Sequence, residues 1–204
     1  MQSFIRLVAR GALLLATAAA LQAASSWSVR VRATYMMFAD RSDAIGAIPA
    51  DTLKVNDLLI PEFDVDYSFT DNLSAELVLT IPQTQDVSLV GTKLGTFKHL
   101  PPTLLLQYKF NPHGKIQPYV GAGANYTLIW GDDLAVGNLA LRLDNHSTGA
   151  AAQAGVDVKI DGHWSINLDA KWVQIRSDVT AAGVKITQAR LDPMLYAAGV
   201  RYAF

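Results

Sequence analysis

The chain has no cysteine, little charge and, after its first two dozen residues, no long uninterrupted hydrophobic run. The absence of cysteine among 204 residues excludes a disulfide, a thiolate metal site and a cysteine nucleophile. Charged residues make up 17% of the chain and leave a formal net charge of −1, so there is no basic surplus to hold nucleic acid. One domain suffices for this length, because a single barrel or sandwich can reach roughly 200–250 residues.

The N-terminus differs in composition from the rest of the chain. Arg6 and Arg10 precede an apolar stretch that ends at Leu21 and is followed by Gln22, Ala23 and Ala24. The stretch is shorter than the roughly 20 residues of a spanning helix, and small residues follow it, as in a secretory signal peptide. We therefore expect residues 1–24 to be a cleaved signal peptide and residues 25–204 to be one mature domain. The alternative is an N-terminal membrane anchor.

From residue 26 onward the dominant hydrophobic period is two, which is typical of strands with one apolar face. In the first segment Val29, Val31 and Ala33 alternate with Arg30 and Arg32. Seven further segments alternate in the same way. The eight segments span residues 26–38, 59–69, 73–79, 103–110, 117–130, 145–160, 164–175 and 191–204. Since no later apolar run could form a spanning helix, insertion of this part into a membrane would require strands.

The connections between these segments alternate between short and long. Residues 70–72, 111–115 and 161–163 form compact turns, whereas residues 39–58, 80–102, 131–144 and 176–190 are long links. Aromatic residues flank the turns and termini, as in an interfacial girdle. The sequence thus predicts an all-β fold, an eight-stranded antiparallel transmembrane β-barrel with short periplasmic turns, long extracellular loops and both mature termini periplasmic. A soluble lipocalin-like barrel with an apolar interior is the alternative.

The polar faces of the predicted strands carry charges of both signs, which the barrel would turn into its lumen. These residues are Arg30, Arg32, Glu62, Asp64, Asp66, Glu76, Lys109, Asp157, Lys159, Asp169, Lys171 and Arg201. Unpaired charges in a confined interior are costly, so we expect a paired network across the lumen. An eight-stranded barrel is only about wide enough for side chains or one small ligand, which disfavours a general porin. The network either only stiffens the barrel or also takes part in solute passage.

The long links are unusually apolar for exposed segments. The apolar residues that we expect to line an external funnel are Ile45, Ile48, Leu53, Val87, Leu89, Leu94 and Leu139. Large exposed apolar patches usually bind something, although these residues could instead pack only on one another.

Pro82 follows the third predicted strand. Because proline has no N–H to donate, it interrupts a strand ladder, and in a barrel wall such a break could form a lateral opening toward lipid. The alternative is that the strand simply ends there.

The segments Gly95-Thr96-Phe97-Lys98-His99-Leu100-Pro101-Pro102-Thr103-Leu104 and residues 117–126, together with the ending at Phe204, resemble the OmpW/AlkL family of outer-membrane proteins. The resemblance extends over essentially the whole mature chain. It implies location in the outer membrane of a Gram-negative bacterium, contact with outer-membrane lipid, and recognition of the terminal aromatic Phe204 by the barrel assembly machinery. It also implies passive uptake of small hydrophobic solutes through an apolar channel, with lateral release into the bilayer.

Three other functions remain open at this level. The loops could serve a surface receptor or structural protein, or the lumen could be a narrow pore for small polar solutes. An enzyme is disfavoured, because the adjacent His146 and Ser147 would point to opposite faces of a strand. No spacing of His and carboxylates predicts a metal site, and the proposed transport needs no cofactor.

Overall fold

The computed structural model describes residues 26–46 and 48–204, so the predicted signal peptide at residues 1–24 lies outside the described residues. No helix long and apolar enough to cross a membrane occurs in this described part. Its residues form fifteen strands: β1 (Trp27–Met37), β2 (Arg41–Ser42), β3 (Leu53–Val55), β4 (Leu58–Ser68), β5 (Leu73–Thr80), β6 (Gln83–Leu89), β7 (Thr92–Leu100), β8 (Thr103–Lys109), β9 (Ile116–Val136), β10 (Leu139–Leu143), β11 (His146–Lys159), β12 (Trp164–Val173), β13 (Arg176–Ala181), β14 (Val184–Arg190) and β15 (Met194–Ala203).

Eight of these strands close into an antiparallel barrel, which confirms the predicted fold. In order around the wall they are β1, β4, β5, β8, β9, β11, β12 and β15, and β15 pairs back with β1. Every connection on the short side is a tight turn, and the chain ends close to its first strand, with the Phe204 amide donating to the Trp27 carbonyl at 3.1 Å. Closure removes the free strand edges that would otherwise invite aggregation.

The barrel wall separates an apolar outer face from a polar inner face. Val31, Leu104 and Leu168 point outward and remain about half exposed, as expected of a wall in contact with hydrocarbon. Aromatic rings cluster at the short-turn end, where Trp27 lies 4.8 Å from Tyr67 between ring centroids. An aromatic belt of this kind marks the level of a membrane interface.

Glycine at inward-facing positions makes room for large side chains in the narrow lumen. A Cβ added at Gly155 would meet the Tyr119 hydroxyl and would lie 2.6 Å from the Leu168 carbonyl oxygen. A Cβ at Gly199 would collide with the backbone of Val31 and with Arg32. These positions therefore accept no side chain without movement of the wall.

Three of the four long links are largely strands and the first, residues 39–58, contains the short strands β2 and β3, which corrects the prediction that the links are loops. Seven short strands, β2, β3, β6, β7, β10, β13 and β14, together with residues 129–136 of β9, continue the wall above the barrel; we call this part the outer extension. Residues with positive φ at the hairpin tips, including Gly91, Gly137 and Gly183, reverse the chain there. The sequence signal was weak because each of these strands is short and the backbone is interrupted by proline and glycine.

We expect Gly155→Ala to destabilise the barrel by about 1–3 kcal/mol, because the added methyl group overpacks the lumen against Tyr119 and the Leu168 backbone. Gly162→Ala is the matched control, since a Cβ at this turn position meets nothing within 4 Å. Urea unfolding of both variants in lipid vesicles, followed by tryptophan fluorescence, measures the difference. Equal midpoints for the two variants would contradict this account of the lumen.

Candidate functional site

Buried ion pairs fill the part of the lumen nearest the short turns. Arg30 reaches three carboxylates on other strands: its Nη1 contacts Asp66 and lies 2.9 Å from Glu76 Oε1, and its Nη2 lies 3.2 Å from Asp157 Oδ2. The guanidinium also sits over the Tyr119 ring, 5.4 Å from its centroid. One side chain from β1 thus binds across the width of the barrel.

A second arginine, Arg32, lies two residues after Arg30 on the same inward face of β1 and further from the short turns. Its Nε is 2.8 Å from Glu62, and its Nη2 is 2.7 Å from Asp64 and 3.1 Å from Glu76. Glu62 also accepts from Lys171 Nζ at 3.3 Å. Arg32 and Lys171 therefore share the carboxylate of Glu62.

Glu76 connects the two arginines. Its Oε1 accepts from both, while its Oε2 accepts from the side-chain amides of Gln107 and Gln153 at 2.7 and 2.6 Å. The buried carboxylate is thereby fully paired, as its removal from water requires.

The structure brings eleven of the twelve predicted lumen charges into this region, which we call the polar plug. They are Arg30, Arg32, Glu62, Asp64, Asp66, Glu76, Lys109, Asp157, Asp169, Lys171 and Arg201. Lys159 lies apart at the adjacent turn, where its Nζ donates to the Pro112 carbonyl at 3.2 Å. Because protein side chains occupy the lumen at this level, a straight water-filled path through the barrel is closed.

An apolar cavity lies inside the outer extension, and we call it the upper cavity. Its lining is aliphatic and aromatic apart from one serine: Leu53, Val55, Val87, Leu94, Phe97, Ile129, Leu134, Leu141, Leu143, Ser177, Val179, Ala189 and Leu191. Its free volume is about 20 Å³. Since one water molecule needs about 10–15 Å³ by this measure, a larger solute could enter only if the lining side chains moved apart.

A smaller cavity, the lower cavity, separates the upper cavity from the polar plug. Its walls are Met36, Val78, Thr80, Pro101, Thr103, Val173, Ile175, Pro193 and Leu195, and its floor is Glu62 and Lys171 of the plug. Neighbouring residues of the same chain segments line the two cavities, with Ile175 below and Ser177 above, and with Pro193 below and Leu191 above. The cavities are therefore stacked along one apolar path that ends on charge.

The predicted funnel residues fall into three groups. Leu53, Val87 and Leu94 line the upper cavity, and Leu89 packs against the same core. Leu139 shares the inward face of β10 with Leu141 but lies at the hairpin tip, where it is 49% exposed, above the cavity. Ile45 and Ile48 exchange backbone hydrogen bonds with each other and do not line the cavity.

Sequence reasoning missed several cavity residues, most of them because they lie in segments that were predicted to be loops: Val55, Phe97, Leu143, Val179 and Ala189. Ile129 and Leu191 lie at the ends of predicted strands and were not recognised as cavity residues. The signal that could have found them is a short period of two, as in Phe97, His99 and Pro101, all of which face inward.

The ladder between β4 and β5 ends beside the lower cavity. Its last pair is Glu62 with Thr80, both of which line that cavity. Above this pair, Leu58–Pro61 stays paired to β1, while the chain leaves β5 through Ile81 and Pro82 and continues into β6, which pairs with β3 and β7. Ile81 and Pro82 are consecutive and both exposed, so the alternation of inward-facing and outward-facing side chains is interrupted at this point.

A buried polar pair lies between the two cavities. Gln85 Nε2 and His99 Nε2 are 3.0 Å apart, and both residues face inward from β6 and β7. Neighbouring Lys98 faces outward, which places this level outside the apolar belt of the wall. Burial lowers the pKa of His99 to about 4, so its ring is neutral at ordinary pH.

No group of three or more metal-ligating side chains occurs among residues 26–46 and 48–204. The arrangement that stands out is instead an apolar path with a polar step in its middle and a charged floor.

Comparisons with known proteins identify relatives over most of the chain. The model described as the OmpW family matches residues 17–204. The relative named uncharacterized outer-membrane protein y4mB, from Sinorhizobium fredii, is 41% identical over 186 residues, covering 88% of this chain and 80% of that protein. Outer membrane protein W from Vibrio cholerae is 33% identical over 153 residues, covering 68% of this chain and 70% of that protein.

A further relative and a solved structure extend the comparison. The dibenzothiophene metabolism operon protein PahQ from Pseudomonas aeruginosa is 28% identical over 182 residues, covering 84% of this chain and 85% of that protein. The crystal structure of the outer membrane protein OprG from Pseudomonas aeruginosa is similar with a TM-score of 0.75 and 28% identity, covering 89% of this chain and 96% of that chain.

We expect Glu76→Leu to destabilise the barrel by about 3–5 kcal/mol, because it leaves Arg30 and Arg32 buried without their shared carboxylate. Asp86→Asn, which breaks an exposed pair with Lys93, is the control and should change stability little. Urea unfolding in vesicles distinguishes the two. A small effect of Glu76→Leu would mean that the other carboxylates around Arg30 and Arg32 are sufficient to pair them without Glu76.

Proposed function

The chain belongs to the OmpW family of outer-membrane proteins, and on that premise we propose that it is a channel for passive uptake of small hydrophobic molecules. A solute enters at the outer extension, descends through the apolar cavities and leaves sideways into the bilayer above the polar plug. The observation that carries the proposal is the stacking of two apolar cavities on a charged floor. We propose no catalytic role and no cofactor.

Entry is proposed at the rim of the outer extension. Leu139 at the tip of β10 and Leu89 beside the apolar core give the rim an apolar character that continues into the upper cavity. Ile45 and Ile48 belong to the same outer region and would meet a solute before it reaches the cavity. Transfer of an apolar solute from water to such a surface is favourable by roughly 25 cal/mol per Å² of apolar area removed from water.

The polar plug favours a sideways exit over passage to the periplasm. A hydrophobic solute that continued downward would have to separate Glu62 from Lys171 and then the arginine pairs beneath them. Separating buried charges without replacement partners is costly. The polar plug therefore acts in this proposal as a floor that turns the solute toward the wall.

The exit is proposed at the end of the β4–β5 ladder. Glu62 and Thr80, the last pair, line the lower cavity, and Leu59, Ile81 and Pro82 are exposed on the lipid side of the same place. Because Pro82 cannot donate a backbone hydrogen bond, the ladder cannot continue normally through it. A wall without complete pairing can separate more easily than one held by a full ladder.

The name of one relative supports an apolar cargo. PahQ is named as a dibenzothiophene metabolism operon protein, and dibenzothiophene is a flat apolar heteroaromatic compound. The class proposed for this chain is accordingly small apolar molecules.

A surface receptor is the second candidate, since Val90 and Val184 at hairpin tips are about two-thirds exposed and could contact another surface molecule. A narrow pore for polar solutes is disfavoured by the filled lumen at the polar plug.

Insertion of the barrel through recognition of Phe204 by the barrel assembly machinery is part of the proposal.

We expect Leu141→Asp, which places a charge in the upper cavity, to reduce protein-dependent uptake of a hydrophobic reporter at least several-fold. Ala140→Asp is the matched control, because Ala140 lies next to it on β10 and faces outward. Cavity-filling Ala189→Phe should also reduce uptake without adding charge. The measurement is reporter influx in matched cells with and without the protein, with a hydrophilic solute of similar size in parallel. Equal gains for both solutes would indicate an ordinary pore, and no gain for either would favour the receptor.

The proposed exit is tested by closing it reversibly in this cysteine-free chain. Pro61→Cys with Ile81→Cys places two thiols just above the last β4–β5 pair, where a disulfide or a short thiol crosslinker can join the strands. Crosslinking should lower hydrophobic uptake, and reduction of the disulfide should restore it. The control is Ala33→Cys with Ala198→Cys, a directly opposed pair in the closed wall. Unchanged uptake after verified crosslinking would place the exit elsewhere.

A further inference from the structure

The apolar path is interrupted by one polar pair. His99 and Gln85 are almost fully buried, yet each retains a side-chain atom, Nδ1 of His99 and Oε1 of Gln85, with no hydrogen-bond partner in the described part of the chain. Buried polar atoms are normally paired, so each such exception requires an explanation. The charged groups of the polar plug do not explain these unpaired atoms, because the His99–Gln85 pair lies above the plug. The two side chains are hydrogen-bonded to each other at 3.0 Å.

The hydrogen-bonding capacity of the pair does not depend on how its atoms are assigned. If the Gln85 amide donates to His99 Nε2, the ring proton sits on Nδ1, which is then a free donor, while Gln85 Oε1 is a free acceptor. If the amide is flipped, Nδ1 becomes the free acceptor and the amide nitrogen supplies the free donors. In both cases the pair offers at least one free donor and one free acceptor.

The His99–Gln85 pair lies on the proposed solute path between the two cavities. On β7, His99 is the inward-facing residue between Phe97, which lines the upper cavity, and Pro101, which lines the lower cavity. Alternate residues of a strand share a face and lie about 6.5–7 Å apart, so the ring lies at the boundary between the two cavities. A solute that moves from one cavity to the other passes this level.

Aromatic rings flank the pair and add a shape requirement. The His99 ring lies 6.3 Å from Phe38 and 5.8 Å from Phe97 between centroids. Such rings provide apolar contact for a flat solute beside a hydrogen-bonding edge. With its low pKa the His99 ring is uncharged, so the site attracts a neutral hydrogen-bonding group rather than an anion.

Resting on the proposed uptake function, we propose that His99 and Gln85 are specificity-determining residues that select small, flat apolar solutes carrying one neutral hydroxyl or carbonyl group. The aromatic body of such a solute occupies the apolar path, and its single polar group pairs with the free donor or acceptor at the cavity boundary. Pure hydrocarbons pass the same level without this partner. The class of favoured solute is thus a phenol, an aromatic alcohol or an aromatic ketone.

The experiment compares p-cresol with p-xylene, which have nearly the same size and shape and differ in a hydroxyl and a methyl group. The quantity measured is protein-dependent uptake of each, taken as the difference between matched cells with and without the protein. One hydrogen bond corresponds to roughly a 3- to 10-fold effect, so wild type should favour p-cresol by about that factor. His99→Phe and Gln85→Leu should remove the preference while p-xylene uptake is retained.

Two further variants separate selection from packing. His99→Gln retains donor and acceptor groups and should keep part of the p-cresol preference, whereas His163→Phe, at an exposed turn, should leave the preference unchanged. The proposal fails if His99→Phe leaves the ratio intact, or if it lowers both uptakes equally in a barrel whose folded fraction on gels is unchanged. If wild type accelerates neither solute, the proposed uptake function fails as well, so the two failures are distinguishable. Should His99→Phe not fold, Gln85→Leu and His99→Gln decide the outcome by the same ratio.

Discussion

The ion pairs that Arg30 and Arg32 make with Glu76 are the interaction on which the rest of the molecule depends. They tie β1 to β5 across the lumen, and further contacts reach β4, β11 and β12. Each charge is buried, so the group of residues is stable only as a set in which every member keeps its partners. A lumen filled in this way cannot serve as a wide aqueous channel, and in the proposed function this constraint turns a solute toward the wall.

The outer extension is the apolar counterpart of the polar plug. The apolar residues of β6, β7, β10, β13 and β14 pack with apolar residues of the barrel strands, such as Met36, Val78 and Leu195, into a core above the plug. The core and the plug meet at the lower cavity, where Val78 and Ile175 stand over Glu62 and Lys171. In the proposed uptake the abrupt change from aliphatic to charged lining would stop the descent of a solute, and the incomplete β4–β5 ladder lies at the level of that change.

The two cavities are nearly closed in this structure, so the proposed passage of an apolar solute requires their lining side chains to move apart. Free volumes of about 20 and 10 Å³ leave no continuous tunnel. Aliphatic linings can separate around a solute and close again, since their packing is not directional. The hydrogen bond of the buried His99–Gln85 pair is directional, and the unpaired atoms of this pair are the basis of the selectivity proposed above.

The sequence by itself determined the barrel: the period of two, the short and long links and the charges on the inner face were enough to predict eight strands, their sidedness and eleven members of the polar plug. The strands and their inward-facing charges could be predicted because each barrel strand is long. Its side chains alternate regularly between apolar ones that face lipid and polar ones that face the lumen. Only the tertiary structure decided that the long links contain strands, that Phe97 and Leu191 line a cavity while Ile45 and Ile48 do not, and that His99 contacts Gln85. The strands of the outer extension are short, and their inward faces are defined by pairing between distant segments, such as β3 with β6 and β10 with β13, which no local pattern contains.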